Sequence, residues 1–527
     1  MPESSTTRRL GLAAALLVFT VFLSRVLGFL RDAVIAALFG ATGRTDAFYA
    51  AFTIPDVLMY LVAGGTLSIT FIPIYTRYLK SNDERGGNRV LSIIATTMTI
   101  VFVVGIVALE YFTPALTRSY LRRLKPEDVA LAASLTRVLL PMQLFFYLGG
   151  IASATLFSRK RFVAASMAPL IYNIGIIVGG AVFGRRYGIA SLAWGALAGA
   201  AVGQFGILVV AAWRAGMRYR PSLAVRDPAF REWLWASVPL MLAVTLVTAD
   251  DWFIRYFAAA DPGAISCLNY ARKLVQVPIA VAAQAVGQAS MPFFAQYWAE
   301  GRKKDLGDLV TSSARSSAAI AALAACALIA LGEPAVDLLF RRGHFSAAEV
   351  APTAHYVMLF AAAIPMWAMQ AIISRAFYAA GDTLTPAVAG TLVTVATVPL
   401  YWLGSRFLDS NGLVIASDLG ICMHTAALML LLPRRLDTVG RRNIVVGTLR
   451  GYAVGAVAAV PAWAASAWLP HGHLRGHLLT LVQLAVGGLV FLIVAALAAR
   501  PLGADDIAGF IEQRVLRRRK RALPSRS

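Results

Sequence analysis

Apolar runs of about twenty residues recur along the whole chain, separated by short polar, Gly/Pro-rich or Arg-rich breaks. A helix that crosses a bilayer needs about 20 mostly apolar residues, so each run reads as a span. The pattern predicts fourteen: Gly11–Phe39, Thr45–Tyr75, Val90–Leu109, Val129–Phe157, Phe162–Phe183, Ile189–Trp213, Leu234–Phe257, Ala264–Trp298, Val310–Leu331, Ala351–Ala380, Pro386–Leu403, Leu413–Leu432, Tyr452–Leu469 and Leu478–Ala499. Arg8 and Arg9 precede the first run as in a signal peptide. That run continues through Arg25 and Arg31 without a small-residue cleavage site, which reads as a retained first helix.

Composition agrees with the pattern. Of the 527 residues 58% are hydrophobic and only 14% charged, with a mean hydropathy of +0.68, whereas soluble domains carry about a quarter charged residues. A water-soluble core cannot absorb that much apolar surface. The expected class is therefore an all-α polytopic membrane protein.

The net charge of +22 would suit a nucleic-acid binder. The basic residues, however, sit between apolar runs rather than along one polar face or beside stacking aromatics. No nucleic-acid partner is expected, because the charges have a topological explanation. An even number of spans puts both termini on one side, and the clusters Arg77/Lys80/Arg85/Arg89, Arg159/Lys160/Arg161, Arg214/Arg218/Arg220, Arg302/Lys303/Lys304, Arg434/Arg435/Arg441/Arg442 and Arg517–Arg521 fall there. By the positive-inside rule that side is cytoplasmic. Arg118/Arg122/Arg123/Lys125, Arg185/Arg186 and Arg341/Arg342 run against this assignment and are outnumbered.

Three features recur at an offset of 219 to 220 residues: Asp32 with Asp251, Pro73 with Pro292, and Phe157 with Phe377. The recurrence suggests a duplicated six-helix unit. The expected organisation is an N-terminal lobe over 1–220 (helices 1–6) and a C-terminal lobe over 221–435 (helices 7–12), pseudo-symmetric with a substrate path between them. Two accessory helices over 436–500 and a basic cytoplasmic tail over 501–527 would follow.

Candidate chemistry concentrates where charges interrupt the spans. In Ser24-Arg25-Val26-Leu27-Gly28-Phe29-Leu30-Arg31-Asp32, two arginines and an aspartate break the first helix. Ionisable residues inside a membrane normally face a polar cavity or a partner. At 100° per residue Arg25 and Asp32 share a helix face, with Arg31 about 100° away. The arginines suit an anionic headgroup such as a pyrophosphate, which a guanidinium fork grips well; the other readings are snorkelling to the interface and pairing of Arg31 with Asp32.

Arg272 and Lys273 in the eighth span are further headgroup candidates, with an interfacial position as the alternative. Asp46, Asp56, Asp250, Asp251 and Arg255 lie in or near spans, where a carboxylate can hold a coupling cation or proton, though an outer-interface position is the better reading for Asp46 and Arg255. Pro55 and Gly64-Gly65 permit bends or close helix approach. Cys267, Cys326 and Cys422 show neither CxxC nor paired spacing, and no P-loop, HExxH or GxSxG is present. The reading is a transporter rather than an enzyme, with no cofactor beyond a coupling sodium ion or proton.

The first-helix motif, followed by Phe39-Gly40, Thr45-Asp46-Ala47-Phe48, Ile54-Pro55 and Phe71-Ile72-Pro73, resembles the MurJ (MviN) family of the multidrug/oligosaccharidyl-lipid/polysaccharide exporter superfamily. Ala168-Pro169 with Asn173, Leu339-Phe340-Arg341-Arg342-Gly343-His344-Phe345, and Phe377-Tyr378-Ala379 with Asp382-Thr383 extend the likeness along the chain. The resemblance implies fourteen helices in two lobes of the bacterial inner membrane and a cationic cavity. It also implies flipping of lipid II, the undecaprenyl-pyrophosphate-linked peptidoglycan precursor, to the periplasmic leaflet, with membrane lipids and cell-wall synthesis proteins as surroundings. Arg25, Arg31, Asp32 and Asp46 occupy positions of the family's charged residues, and Asp251 matches an acidic position linked to sodium in some relatives.

The chain departs from the family pattern in carrying Met59-Tyr60 and Gly64-Gly65 where a second-helix Arg pair and Glu-Gly are usual. It also has Arg272-Lys273 where an acidic residue and Arg are more frequent, and no acidic residue in Pro386–Leu403. Export of another polyprenyl-linked oligosaccharide and a transport-inactive scaffold for envelope synthesis are the competing readings.

Overall fold

A computed structural model of the chain describes residues 20, 23–63, 70–242, 246–258, 261–280, 282, 285–436, 438–469 and 476–509. The described residues are helical and contain no strand. A first helix, α1, covers 23–39. It is followed by α2 Gly43–Ala51, α3 Thr53–Ala63, α4 Ile72–Lys80, α5 Glu84–Tyr120, α6 Pro126–Leu139, α7 Met142–Ser158, α8 Val163–Tyr187, α9 Ala190–Gly199, a π-helical turn Ala200–Ile207 and α10 Leu208–Arg214. Then come α11 Pro228–Leu242, α12 Leu246–Phe257, α13 Ala264–Ile279, α14 Ala285–Ala299, α15 Lys303–Phe340, α16 Ala347–Ala361, α17 Ile364–Ala379, α18 Leu384–Phe407, α19 Asp409–Leu431, α20 Arg441–Ala467 and α21 His477–Ala499.

Among the described residues, nine helical stretches are long and apolar enough to cross a membrane, or ten if α16 and α17, bent by 45°, count as one span. The four other expected spans, the first, second, seventh and eighth, each run into residues outside the described set. Gly64, Gly65, Arg8, Arg9 and the basic tail Arg517–Arg521 also lie outside it.

Several spans outlast their apolar cores. The third, expected over Val90–Leu109, belongs to a 37-residue helix whose N-terminus is capped by Asp83, with Oδ1 accepting from the Gly86 N–H at 2.8 Å. The second is broken: α2 ends at Ala51 and the chain restarts at Thr53. Pro55 falls in the first turn of α3, where a missing N–H costs nothing. α16 opens on a capping box, Ser346 and Glu349 exchanging side-chain and backbone bonds. In the turn before α18, Asp382 accepts from Thr385 N (2.9 Å), Thr385 Oγ1 (2.8 Å) and Arg435 Nε (2.9 Å). Burial pushes its carboxyl up, yet these bonds and the Arg435 charge hold it below its ordinary value.

The two longest described helices keep the spacing of the sequence repeat. α5 and α15 begin at 84 and 303 and end at 120 and 340, so their offsets match the 219 to 220 residues of the sequence repeat. The molecule divides into two compact units. One comprises Met1–Ala243 with Ala259–Ser266 and Arg342–Phe345, and the other Val244–Ala258, Cys267–Arg341 and Ser346–Ser527. The first unit therefore includes two short segments from far along the chain.

Candidate functional site

In the first unit, α1 carries its charges at two depths. Asp32 is fully buried, whereas Arg25, two turns earlier, is exposed. Arg31 does not stand apart from Asp32, as a bare 100° offset would have it. Its long side chain folds back so that Nε and Nη2 lie 3.0 and 2.9 Å from Asp32 Oδ1, with Nη2 also 3.1 Å from Oδ2. Nη1 donates to Asn173 Oδ1 on α8 at 3.1 Å. The amide of Asn173 is oriented by its own donation to the Pro169 carbonyl at 3.0 Å, and Tyr49 of α2 reaches Asp32 at 3.4 Å. The guanidinium is thus fixed in plane by a carboxylate on one edge and an amide oxygen on another.

Asp46, also fully buried, has no cationic hydrogen-bond partner among the described residues. Its carboxylate accepts from the Gly263 N–H (2.5 Å), the Ser266 N–H (2.8 Å) and the Ser266 hydroxyl (2.6 Å), capping the first turn of α13. A carboxylate at a helix N-terminus is stabilised by the exposed amides and the helix dipole. Gly263 has φ +90°, and a Cβ there would collide with the Ala41 carbonyl, so glycine is required for the approach. A parallel fastening joins the end of α1 to the second inserted segment: the His344 N–H donates to the Ala37 carbonyl at 2.8 Å, beside Gly343 at φ +56°.

The second unit holds another arginine–aspartate cluster. Arg272 of α13, 14% exposed in its side chain, makes ion pairs with buried Asp250 and half-exposed Asp251 of α12. Its Nη2 also lies 3.3 Å from Ser417 Oγ on α19, and its guanidinium stands 5.4 Å from the centre of the Phe360 ring. Asp250 accepts further bonds from Tyr401 and from Ser417, the latter at 3.1 Å. Asp418 belongs to the same electrostatic neighbourhood, and its Oδ1 is buried without a hydrogen-bond partner among the described residues. Arg272 is therefore held by carboxylates, and the neighbouring Lys273 is half-buried.

Sequence reasoning marked Asp250, Asp251 and Arg272 but passed over Tyr401, Ser417 and Asp418. Asp418 bore the same signal as the others, an ionisable group inside the apolar run Leu413–Leu432. No group of three or more His, Cys, Asp or Glu among the described residues is arranged to hold a metal ion.

A family model described as lipid II flippase MurJ matches residues 35–483. The lipid II flippase MurJ of Burkholderia cenocepacia is 27% identical over 441 residues, covering 81% of this chain and 84% of that protein. The probable lipid II flippase MurJ of Rhizobium tropici is 25% identical over 520 residues, 95% of each chain. Among solved structures, a lipid II flippase MurJ in an inward closed conformation superposes with a TM-score of 0.77 at 19% identity, over 93% of this chain and 99% of that one. An inward-facing multidrug transporter of the MATE family superposes with a TM-score of 0.62 at 17% identity, over 81% and 95%. The all-helical fold, with its multiple membrane spans and charged first helix, is thus a transporter fold, and the chain belongs to the MurJ family of lipid II flippases.

Proposed function

We propose that this protein carries lipid II from the cytoplasmic to the periplasmic leaflet of the bacterial inner membrane, both of its termini being cytoplasmic. The reading is supported most by one observation: a guanidinium inside an apolar chain, Arg31, is held rigidly by Asp32 and Asn173. A diphosphate headgroup is the kind of anion such a preorganised fork selects. Arg25, Arg31 and Lys273 are the proposed headgroup contacts and Asp32 the positioning partner, while Arg272 would join them on release from its carboxylates. The polyprenyl tail stays in lipid while the headgroup site opens alternately to the two faces. No covalent step is involved. A sodium ion or proton at the carboxylates around Asp251 would couple transport to the membrane gradient, one charge being worth about 2.3 kcal/mol per 100 mV.

Similarity to the wider exporter superfamily, together with Met59 and Tyr60 at positions that are usually cationic, favours another polyprenyl-linked oligosaccharide as the second reading. The test is expression in cells depleted of their own lipid II flippase, with growth and outward lipid II translocation measured beside Arg25→Ala. Rescue by the native chain and loss with Arg25→Ala is the expected result. Failure of the native chain at normal membrane levels would sink the lipid II assignment in favour of another lipid-linked substrate or a scaffold role, and full activity of Arg25→Ala would remove Arg25 from the site.

A further inference from the structure

A second polar site, separate from the residues proposed for transport, lies in the second unit where α15, α20 and the segment after α21 meet. α20 packs against α15 through glycines four residues apart. A Cβ on Gly451 would lie 2.6 Å from the Ala319 carbonyl oxygen, and one on Gly455 2.7 Å from Cys326 Cβ. Such stripes let helix backbones approach closely in membranes. At the end of the stripe, Gly447 leaves room for the stem of Arg315 to cross α20.

Arg315 and Arg450 mark the depth of this site. Arg315 is the last charge on α15 before the uncharged run 316–332, and Arg450 the last on α20 before its end at Ala467. Both stand where apolar spans give way to polar ends, the level of lipid headgroups. A cavity of about 280 Å³ opens there, lined by Arg315, Arg442, Asn443, Arg450, Asp505 and Asp506 among others.

Its charges do not cancel. Arg315 is committed to Asp506, with Nε 2.9 Å from Oδ2 and Nη2 3.1 Å from Oδ1, and Ser316 adds a bond to the same carboxylate. Arg450 spends one donor on the neutral carbonyl of Gly503 at 2.8 Å, a turn residue at φ +65°, and keeps its charge. Arg442 has no hydrogen bond or ion pair among the described residues. Two arginines thus face one remaining carboxylate, exposed Asp505. The N-terminus of α20, 27 residues long and without a side-chain cap at Gly440, adds its amide dipoles beside Arg442 and Asn443. Next to the lining residues, Val445 and Leu449 present exposed apolar surface on α20.

We propose that this cavity binds the phosphate of an anionic phospholipid headgroup, with Arg442 and Arg450 as its cationic contacts and the acyl chains lying over Val445 and Leu449. A lipid fits better than a free anion because the cations stand at the end of the spans beside apolar side chains. The site would anchor the α20–α21 pair to the leaflet rather than take part in moving substrate.

The test is native mass spectrometry of the full chain titrated with phosphatidylglycerol, then phosphatidylcholine, then phosphatidylglycerol with inorganic phosphate as competitor. The native protein should retain one phosphatidylglycerol that Arg442→Glu loses, with apparent affinity falling about tenfold, while phosphatidylcholine is not retained at that site. Arg442→Gln, which keeps a polar side chain without adding repulsion, should give an intermediate loss at an unchanged unfolding midpoint. Equal retention by the native protein and both variants would overturn the site. Displacement of the lipid by equimolar inorganic phosphate would overturn the lipid as its occupant.

Discussion

Each unit sets an arginine against an aspartate, Arg31 on the same helix as its partner and Arg272 on the helix after its partners, and surrounds it differently. Arg31 meets one carboxylate and the neutral oxygen of Asn173. Arg272 meets two carboxylates directly, a serine hydroxyl, an aromatic face and a third carboxylate nearby. The first arrangement presents a cation that one aspartate steadies. The second presents a surplus of negative charge that one arginine partly cancels. One arginine thus sits beside a single carboxylate and a neutral amide, the other among three carboxylates.

The largest way to break this comparison is to remove the shared cation. Arg272→Ala leaves buried Asp250 uncompensated and should cost about 3–5 kcal/mol of unfolding free energy, because breaking a buried pair strands its partner. The readout is denaturant unfolding of the purified protein, with Asp250→Asn in the same chain restoring most of the loss. A loss below about 1 kcal/mol would mean that water reaches Asp250 and that the cluster is not closed.

Asp46 sharpens the contrast as a carboxylate that, among the described residues, is satisfied by neutral donors. Asp46→Ala removes the acceptor for three donors and should cost about 1.5–3 kcal/mol, the range for hydrogen bonds to a charged group. Hydrogen exchange should speed up at the Gly263 and Ser266 amides. Unchanged protection there would show that the cap does not hold that segment.

The smallest effect belongs to Asp382, a carboxylate outside the spans. Its native value lies below the unfolded one, so its contribution is full above the unfolded pKa and is lost as pH falls through the native pKa. Thermal unfolding from pH 7 to pH 3 should show a shallower acid decline for Asp382→Asn than for the native chain. Parallel curves would exclude Asp382 as a contributor.

Periodicity and apolar length made the fold readable, and the limits of that reading are physical. Hydropathy ended the third span at Leu109, but the helix continues to Tyr120, because hydropathy reports the membrane and not the helix. The spacing of 219 to 220 residues was legible in sequence and recurs in the bounds of α5 and α15. The pairing of Arg31 with Asp32 could be posed but not decided, since adjacent helical residues point about 100° apart and only Asn173, 142 residues away, shows where the guanidinium is drawn. Tyr401 and Ser417 carry no mark in sequence, because tyrosine and serine are ordinary in apolar helices until the fold sets them against a buried carboxylate. Asp418 carried a mark that was open to view.

The two short segments counted with the first unit set a rule for dividing the molecule. Gly263 and Ser266 satisfy Asp46, and His344 closes the last turn of α1, yet all three are encoded beyond residue 243. A fragment cut at the centre of the sequence repeat would retain every helix of its half and still expose a buried carboxylate and a bare helix end. The midpoint of the sequence repeat is thus not a cleavage line: residues encoded in the second half finish what the first leaves unsatisfied.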